Sequence, residues 1–248
     1  LNNCYRIIFN SNWSKKRFLQ KMKSEAINSE KLLVINQSAT KNKINFNNKK
    51  KIITFVGKLN RSKGYDLFGK AVIKILKNYK EWSAYVVGDE PRDKLEFNHK
   101  RLFKLGFREH KEVINLYKKT SIAVVCSRWE EPFGRTSLEA SSRGCAVIVS
   151  NRGGLPETIT NGIIVRNLTI KNLYNAINKL IKNKRQRISL QKSSLKNFYL
   201  TNEYICKKID NYREKIANLK LNFNGSLELK KLKILHVTNF NERHNGRL

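Results

Sequence analysis

The chain has 248 residues, 40% of them apolar, which suits one large domain with a sizeable core and excludes wholesale disorder. No apolar run approaches the roughly 18 residues needed to span a bilayer, so no transmembrane helix is expected. The 51 Lys and Arg against 19 Asp and Glu give a formal charge of +32, a balance that suits nucleic acid or an anionic membrane surface as partner. Composition offers a plainer source, because 35 Lys, 30 Asn and 23 Ile all share A/T-rich codons. The lysines are scattered, without the stripe or arginine-rich arm of a nucleic-acid reader, so a solvated surface is favoured and polyanionic ligands remain welcome.

In chain order, Arg6 to Phe9 reads as a strand ending at Asn10-Ser11, followed by a helix with Ser14 as N-cap and Lys15 to Met22 as body. Lys31 to Ile35 is a short apolar run, and the polar, aperiodic stretch 36–51 reads as a linker. From Ile52 short β-branched runs alternate with helical patterns. Strands are expected at Ile52–Val56, Ala84–Val87, Leu102–Phe107, Ile122–Val125, Ala146–Val149 and Ile163–Val165. Helices are expected at Tyr65–Asn78, around Val113 to Tyr117, at Thr136–Arg143, and then in succession over Ile170–Ile181, Lys184–Phe198 and Asn202–Leu219. Asn222–Ser226 reads as a loop, Leu232–Val237 as a fresh strand and Asn239–Gly246 as the polar loop after it.

Strands that are apolar along their whole length and alternate with helices imply a parallel sheet covered on both faces. The expected fold class is therefore α/β, a doubly wound Rossmann-like parallel sheet. Ligands in such sheets sit beyond the carboxyl ends of the strands, so the chemistry is sought just after Val56, Val87, Phe107, Val125 and Val149. Cys4, Cys126, Cys145 and Cys206 form no C-x-x-C pair and no metal spacing with any of the four His. Cys126 and Cys145 sit in apolar runs as reduced thiols, and no secretory leader is visible. A cytoplasmic setting fits best.

Two segments carry chemistry. Gly57-Lys58-Leu59-Asn60-Arg61-Ser62-Lys63-Gly64 follows the first strand of the alternating region and precedes a helix. Its glycines allow close backbone approach, and its cations and the helix start suit a diphosphate; a basic turn in a Lys-rich chain is the plain alternative. It is no Walker A motif. The second segment, Trp129 to Ala140, holds Glu130, Glu131 and Glu139, three of the 19 acids, around a Pro132-Phe133-Gly134 turn. That turn leads into a helix near Arg135, whose free N–H groups form another anion site. Glu131 and Glu139 can both reach one ligand and accept hydrogen bonds from a vicinal diol, as on a ribose or a hexose. Taken singly, each acid is equally an ordinary helix-surface charge or an N-terminal dipole partner.

Glu131-x7-Glu139 with Pro-Phe-Gly between, preceded by Gly57-Lys58-Leu59 and Lys63-Gly64, resembles the donor-binding half of retaining GT-B glycosyltransferases of family 4. Val87-Gly88-Asp89-Glu90-Pro91 is similar to that family's second strand-end turn, and Asn151 to Glu157 to its Gly-Gly-x-x-Glu segment. The resemblance covers about Ile52 to Phe198. It implies that Lys58 and Lys63 neutralise the donor's diphosphate as it leaves, with Gly57 beside them. Backbone N–H groups of Phe133, Gly134 and Arg135, with Thr136, would cradle phosphate and sugar oxygens. Glu131 would bind hydroxyls of the transferred sugar, Glu139 the ribose, and the corner at Phe107 the base. Lys58, Lys63 and Glu131 are thus the expected catalytic residues. No metal and no resident cofactor is implied, and no Asp-x-Asp ligand pair occurs. The donor would be a nucleoside-diphosphate sugar, and the acceptor a glycan or lipid-linked glycan of a surface polysaccharide or lipopolysaccharide.

The resemblance also implies a domain plan: residues 1–35 as a remnant of the acceptor-side domain, 36–51 as linker and 52–200 as the donor-binding domain. Residues 201–219 would be the crossover helix, 220–231 a linker, and 232–248 the start of a second glycosyltransferase unit. Three departures stand out. Lys58 occupies a position where the family usually has Arg, Glu90 replaces a common Gly, and no counterpart of the family's acceptor-side histidine is present. His99 and His110 read as surface or core residues. As a donor half, the fragment is expected to be inactive alone. Peripheral contact with an anionic membrane at the inner face is expected from the charge. The alternatives are a non-catalytic nucleotide-binding partner module, or, less favoured, a basic nucleic-acid-binding α/β protein.

Overall fold

The structure is a computed structural model of the chain and describes residues 6–22, 29–221 and 234–237. The chain forms two compact units, one from its two ends (1–38 and 200–248) and one from residues 39–199. In the first unit, β1 (Arg6–Phe9) leads into α1 (Asn12–Lys21) and β2 (Leu32–Val34), which lies parallel to β1 with Ile7 opposite Leu32. Ile7, Phe9, Phe18 and Leu32 make its small core, the rings of Phe9 and Phe18 lying 5.1 Å apart. The N-cap of α1 is Ser11 rather than Ser14: the Ser11 hydroxyl accepts the Ser14 N–H at 3.0 Å. Both serines have the right chemistry, and the path of the chain out of β1 selects the earlier one.

The second unit runs β3 (Lys50–Val56), α2 (Tyr65–Asn78), β4 (Ser83–Val87), β5 (Leu102–Lys104), α3 (His110–Lys119), β6 (Thr120–Val125) and α4 (Arg135–Ser142). It continues with β7 (Ala146–Ser150), β8 (Gly162–Val165), α5 (Ile170–Lys182) and α6 (Lys184–Lys196). The six strands are all parallel, in the order β5-β4-β3-β6-β7-β8. Side chains alternate between two cores. Ile122 and Val124 join Phe68 and Leu76 of α2 and Leu173 and Ile177 of α5. Ala123 and Val147 face the other way, onto Val113 and Tyr117 of α3 and Ala140 of α4. Each fully buried Val, Leu, Ile or Phe contributes about 1.5–3 kcal/mol, so covering both faces is what holds the sheet. The doubly wound Rossmann-like class is thereby established, and the strand order reverses between β3 and β6, where ligands of such sheets bind.

Several boundaries move. The strand expected over Leu102–Phe107 stops at Lys104, because Gly106 takes a positive φ of 68° and turns the chain. The stretch read as a linker joins the second unit from residue 39 onward. Its Lys49 is half-buried and donates to the carbonyls of Tyr117 at 2.9 Å and Arg143 at 2.7 Å, while Arg143 donates back to Thr40 O. Burial pulls the Lys49 ammonium below its ordinary pKa, and the helix-end carbonyls keep it satisfied. Arg101 similarly donates to the carbonyls of Leu76 and Tyr79, and Arg187 to those of Leu180 and Ile181 while its guanidinium lies 5.0 Å from the Trp82 ring centre. Part of the cationic excess therefore closes helix ends inside the fold.

Helix α7 (Asn202–Leu221) and strand β9 (Ile234–Val237) belong to the first unit. Of the strand expected over Leu232–Val237 the structure describes Ile234–Val237, which lie parallel along β1, with Arg6 opposite Ile234 and Phe9 opposite Val237. The loops at Asn222–Ser226 and Asn239–Gly246 lie outside the described residues. Among the described residues no helix is long and apolar enough to cross a membrane.

Candidate functional site

Beyond the strand ends the turns of the second unit bond to one another. Gly57 N–H donates to Val87 O at 3.0 Å, Leu59 N–H to Asp89 O at 3.2 Å and Gly88 N–H to Gly106 O at 2.8 Å. Arg128 and Trp129 donate to Ser62 O at 2.8 and 3.1 Å, and Gly154 N–H to Glu131 O at 2.6 Å. The turns after β3, β4, β5, β6 and β7 thus form one backbone-bonded rim. Its tightest crossings use glycine. A Cβ at Gly88 would lie 2.0 Å from Gly57 O, and one at Gly64 would lie 1.9 Å from Cys126 O.

The same crossing explains how Glu90 is tolerated in the second turn. Close approach is made at Gly88, and the Glu90 carboxylate turns aside to accept from Arg92 Nε at 2.7 Å, Arg92 Nη2 at 3.1 Å and Asn60 Nδ2 at 3.2 Å. The Arg92 fork, aided by Asn60, holds its carboxyl down at about 2.

At the switch point lies a cavity of about 200 Å³, lined by Val56, Gly57, Lys63, Val125, Ser127, Glu131, Gly134, Arg135, Thr136 and Leu155, with Phe55 at its base. The Lys63 ammonium is paired with the Glu131 carboxylate, and the Lys63 N–H donates to Asn60 Oδ1 at 3.0 Å, which fixes the loop that carries it. Helix α4 starts against this cavity. Gly134 is its N-cap, so the first N–H groups of the helix, without intrahelical partners, are available on that side. One turn further in, Glu139 is only 6% exposed. Its Oε1 accepts from Arg135 Nε at 2.8 Å and meets His110 Nε2 at 3.0 Å. A surface helix charge is excluded for it, since a carboxylate this buried requires such partners.

Of the residues expected from sequence, Gly57, Lys63, Glu131, Gly134, Arg135 and Thr136 meet around one cavity. Glu139 stands behind Arg135. Phe133 has a buried ring, which leaves only its backbone for a ligand. Lys58 is exposed on the rim outside the lining residues, and Phe107 is 74% exposed beyond β5. Sequence reasoning missed Ser127 and His110. The position of Ser127, two residues past the end of β6, is an available signal; nothing local pairs His110 with Glu139. Among the described residues no three His, Cys, Asp or Glu side chains gather to hold a metal ion.

The profile of the family described as glycosyl transferases group 1 matches residues 36–196. The chain belongs to that family. Spore coat protein SA of Bacillus subtilis is 32% identical over 162 residues, 58% of this chain and 43% of that protein. The lipopolysaccharide core biosynthesis mannosyltransferase LpsB of Rhizobium meliloti is 31% identical over 123 residues, 46% of this chain and 35% of that one. The chain therefore spans less than half the length of these curated relatives. Among solved structures, Anabaena HepE in complex with UDP-glucose superposes with a TM-score of 0.70 at 19% identity, covering 85% of this chain and 64% of HepE. The C-terminal domain of a glycosyl transferase group 1 protein, LpcC of Francisella tularensis, gives a TM-score of 0.52 at 28% identity, covering 58% of this chain and 82% of that domain. The group 1 assignment and the GT-B type of Rossmann-like fold follow together for this chain.

Proposed function

We propose that residues 39–199 form the donor-binding half of a retaining group 1 glycosyltransferase of family 4 type, which moves a hexose from a nucleoside-diphosphate sugar to a glycan or lipid-linked acceptor. The observation that carries this reading is the cavity at the switch point, where Lys63, Glu131 and the start of α4 converge with the buried Glu139 one turn behind. The diphosphate would lie against Gly57 and the N–H groups at the start of α4, with Lys63, and Lys58 from the rim, opposing its charge. That charge grows as the sugar–phosphate bond breaks, so fixed cations and dipoles stabilise the departing group more than the bound donor. No metal is assigned a part. Glu131 would hold sugar hydroxyls, Glu139 the ribose and the Phe107 corner the base, leaving the acceptor to come from the face that the diphosphate vacates, with retained configuration. Support also comes from the relatives called lipopolysaccharide core mannosyltransferases and from the UDP-glucose complex of the structural neighbour.

The test is calorimetric titration with UDP, GDP and ADP. One of the three is expected to bind, and Glu139→Ala to weaken it at least about tenfold, or about 1.4 kcal/mol. Folded protein that binds none of them would remove the donor reading.

We further propose peripheral contact with anionic lipid. At the amino end of the strands, opposite the cavity, Lys43, Lys50, Lys118 and Lys119 surround an open hollow of about 710 Å³ floored by asparagines. Each well-placed lysine near an anionic surface contributes about 1 kcal/mol. Vesicles containing phosphatidylglycerol should pull the protein down and lecithin vesicles should not. Replacing the four lysines by glutamine should lose most of that binding, and undiminished binding would refute the assignment to this hollow.

A further inference from the structure

We propose that His110 is a positioning residue for Glu139: with Arg135 it pins one carboxylate oxygen, so that the other is presented to the vicinal diol of a nucleotide ribose. The inference rests on the donor reading above and adds to it a source of selectivity for ribonucleotides.

Glu139 lies on α4 with its side chain 8% exposed. Both contacts fall on the same oxygen, Oε1: Arg135 Nε at 2.8 Å and His110 Nε2 at 3.0 Å. A carboxylate offers about four acceptor directions over two oxygens, so Oε2 keeps its capacity for a ligand. Arg135 sits one turn before Glu139 on the same helix and supplies a counter-charge beside it. It is a long, flexible side chain, 67% exposed, and fixes the direction of the carboxylate poorly. His110 comes from a different element, has two side-chain torsions, and sits as the first residue of α3. The Glu109 N–H donates to Glu112 Oε2 at 3.1 Å, which secures that helix start, and the turn before it is tied to Gly88 through Gly106 O. A stiff donor on a tethered helix start sets the orientation of Glu139 across the gap between α3 and α4. The His110 ring is 62% exposed, so it is no part of the core that its loss would collapse.

The test compares two ligands on the full 248-residue chain: the nucleoside diphosphate among UDP, GDP and ADP that binds tightest, and its 2′,3′-dideoxy counterpart. The wild type should prefer the ribonucleotide about tenfold or more, the scale of a hydrogen bond to a charged group. His110→Ala should weaken the ribonucleotide about fivefold to tenfold and leave the dideoxy compound unchanged. His110→Gln, which can place an amide donor near the same point, should restore most of the loss. Equal weakening of both ligands, no weakening of either, or a wild type indifferent to the diol each overturns the proposal. A wild type that binds none of the nucleotides overturns the donor reading as well, and this result is seen before any His110 variant is made.

Discussion

Gly64→Ala is expected to lower the thermal midpoint of the second unit by about 4–20 °C. Gly64 is the N-cap of α2 at φ 75°, ψ 21°, a left-handed conformation that costs an alanine about 1–2 kcal/mol. The added Cβ would also sit 1.9 Å from Cys126 O, a backbone atom held between β6 and the Lys63 loop, so the clash cannot be relieved by turning a side chain. Overpacking of this kind costs about 1–3 kcal/mol more, and each kcal/mol moves the midpoint of a domain of this size by about 2–4 °C. Gly106→Ala is the control. It has a similar φ of 68° but nothing within 4 Å of the new carbon, and it should lose only the conformational part. Thermal unfolding followed by circular dichroism reads both, and equal losses would show that the crossing at Cys126 is looser than described.

The largest functional loss is expected from Lys63→Ala, about a hundredfold in affinity for the nucleoside diphosphate, or about 2.7 kcal/mol. Two effects add. The variant removes a cation from the cavity, and it leaves Glu131, only 16% exposed, as an uncompensated negative charge facing the phosphates. The double variant Lys63→Ala/Glu131→Gln removes the second effect and should recover about tenfold. The corresponding monophosphate should lose much less than the diphosphate in either background. Calorimetry on the four proteins decides the matter, and a Lys63→Ala protein no weaker than Glu131→Gln would take Lys63 out of the phosphate site.

Most of the sheet was legible because its strands are buried on both faces, and unbroken runs such as Ile122–Val125 have few other readings. What escaped were features set by contacts distant in sequence. Polar residues 39–49 look like linker by composition, yet Lys49 reaches carbonyls at the ends of α3 and α4 that no local pattern announces. The Ser11 cap was missed because two serines of equal chemistry stand three residues apart. At the site, the turn glycines and Glu131-x7-Glu139 could be read from spacing, since a strand, a turn and a helix start are local objects. The burial of Glu139 and its contact with His110 could not, because they depend on how α3 packs against α4. The departure at Glu90 shows the converse case. A residue suspect in a one-dimensional pattern is harmless once Gly88 makes the close approach and Arg92 and Asn60 draw the carboxylate aside.

The backbone-bonded rim bears on time as well as on shape. Turns already bonded to one another have little freedom left to lose when a nucleotide arrives, so binding need not wait for a rare conformer. Association should then be set by encounter, about as quickly as a small anion finds a chain of charge +32, and it should slow as salt screens that attraction. A collision rate set by overall charge is nearly the same for every nucleoside diphosphate. Discrimination among them resides in how long each one stays.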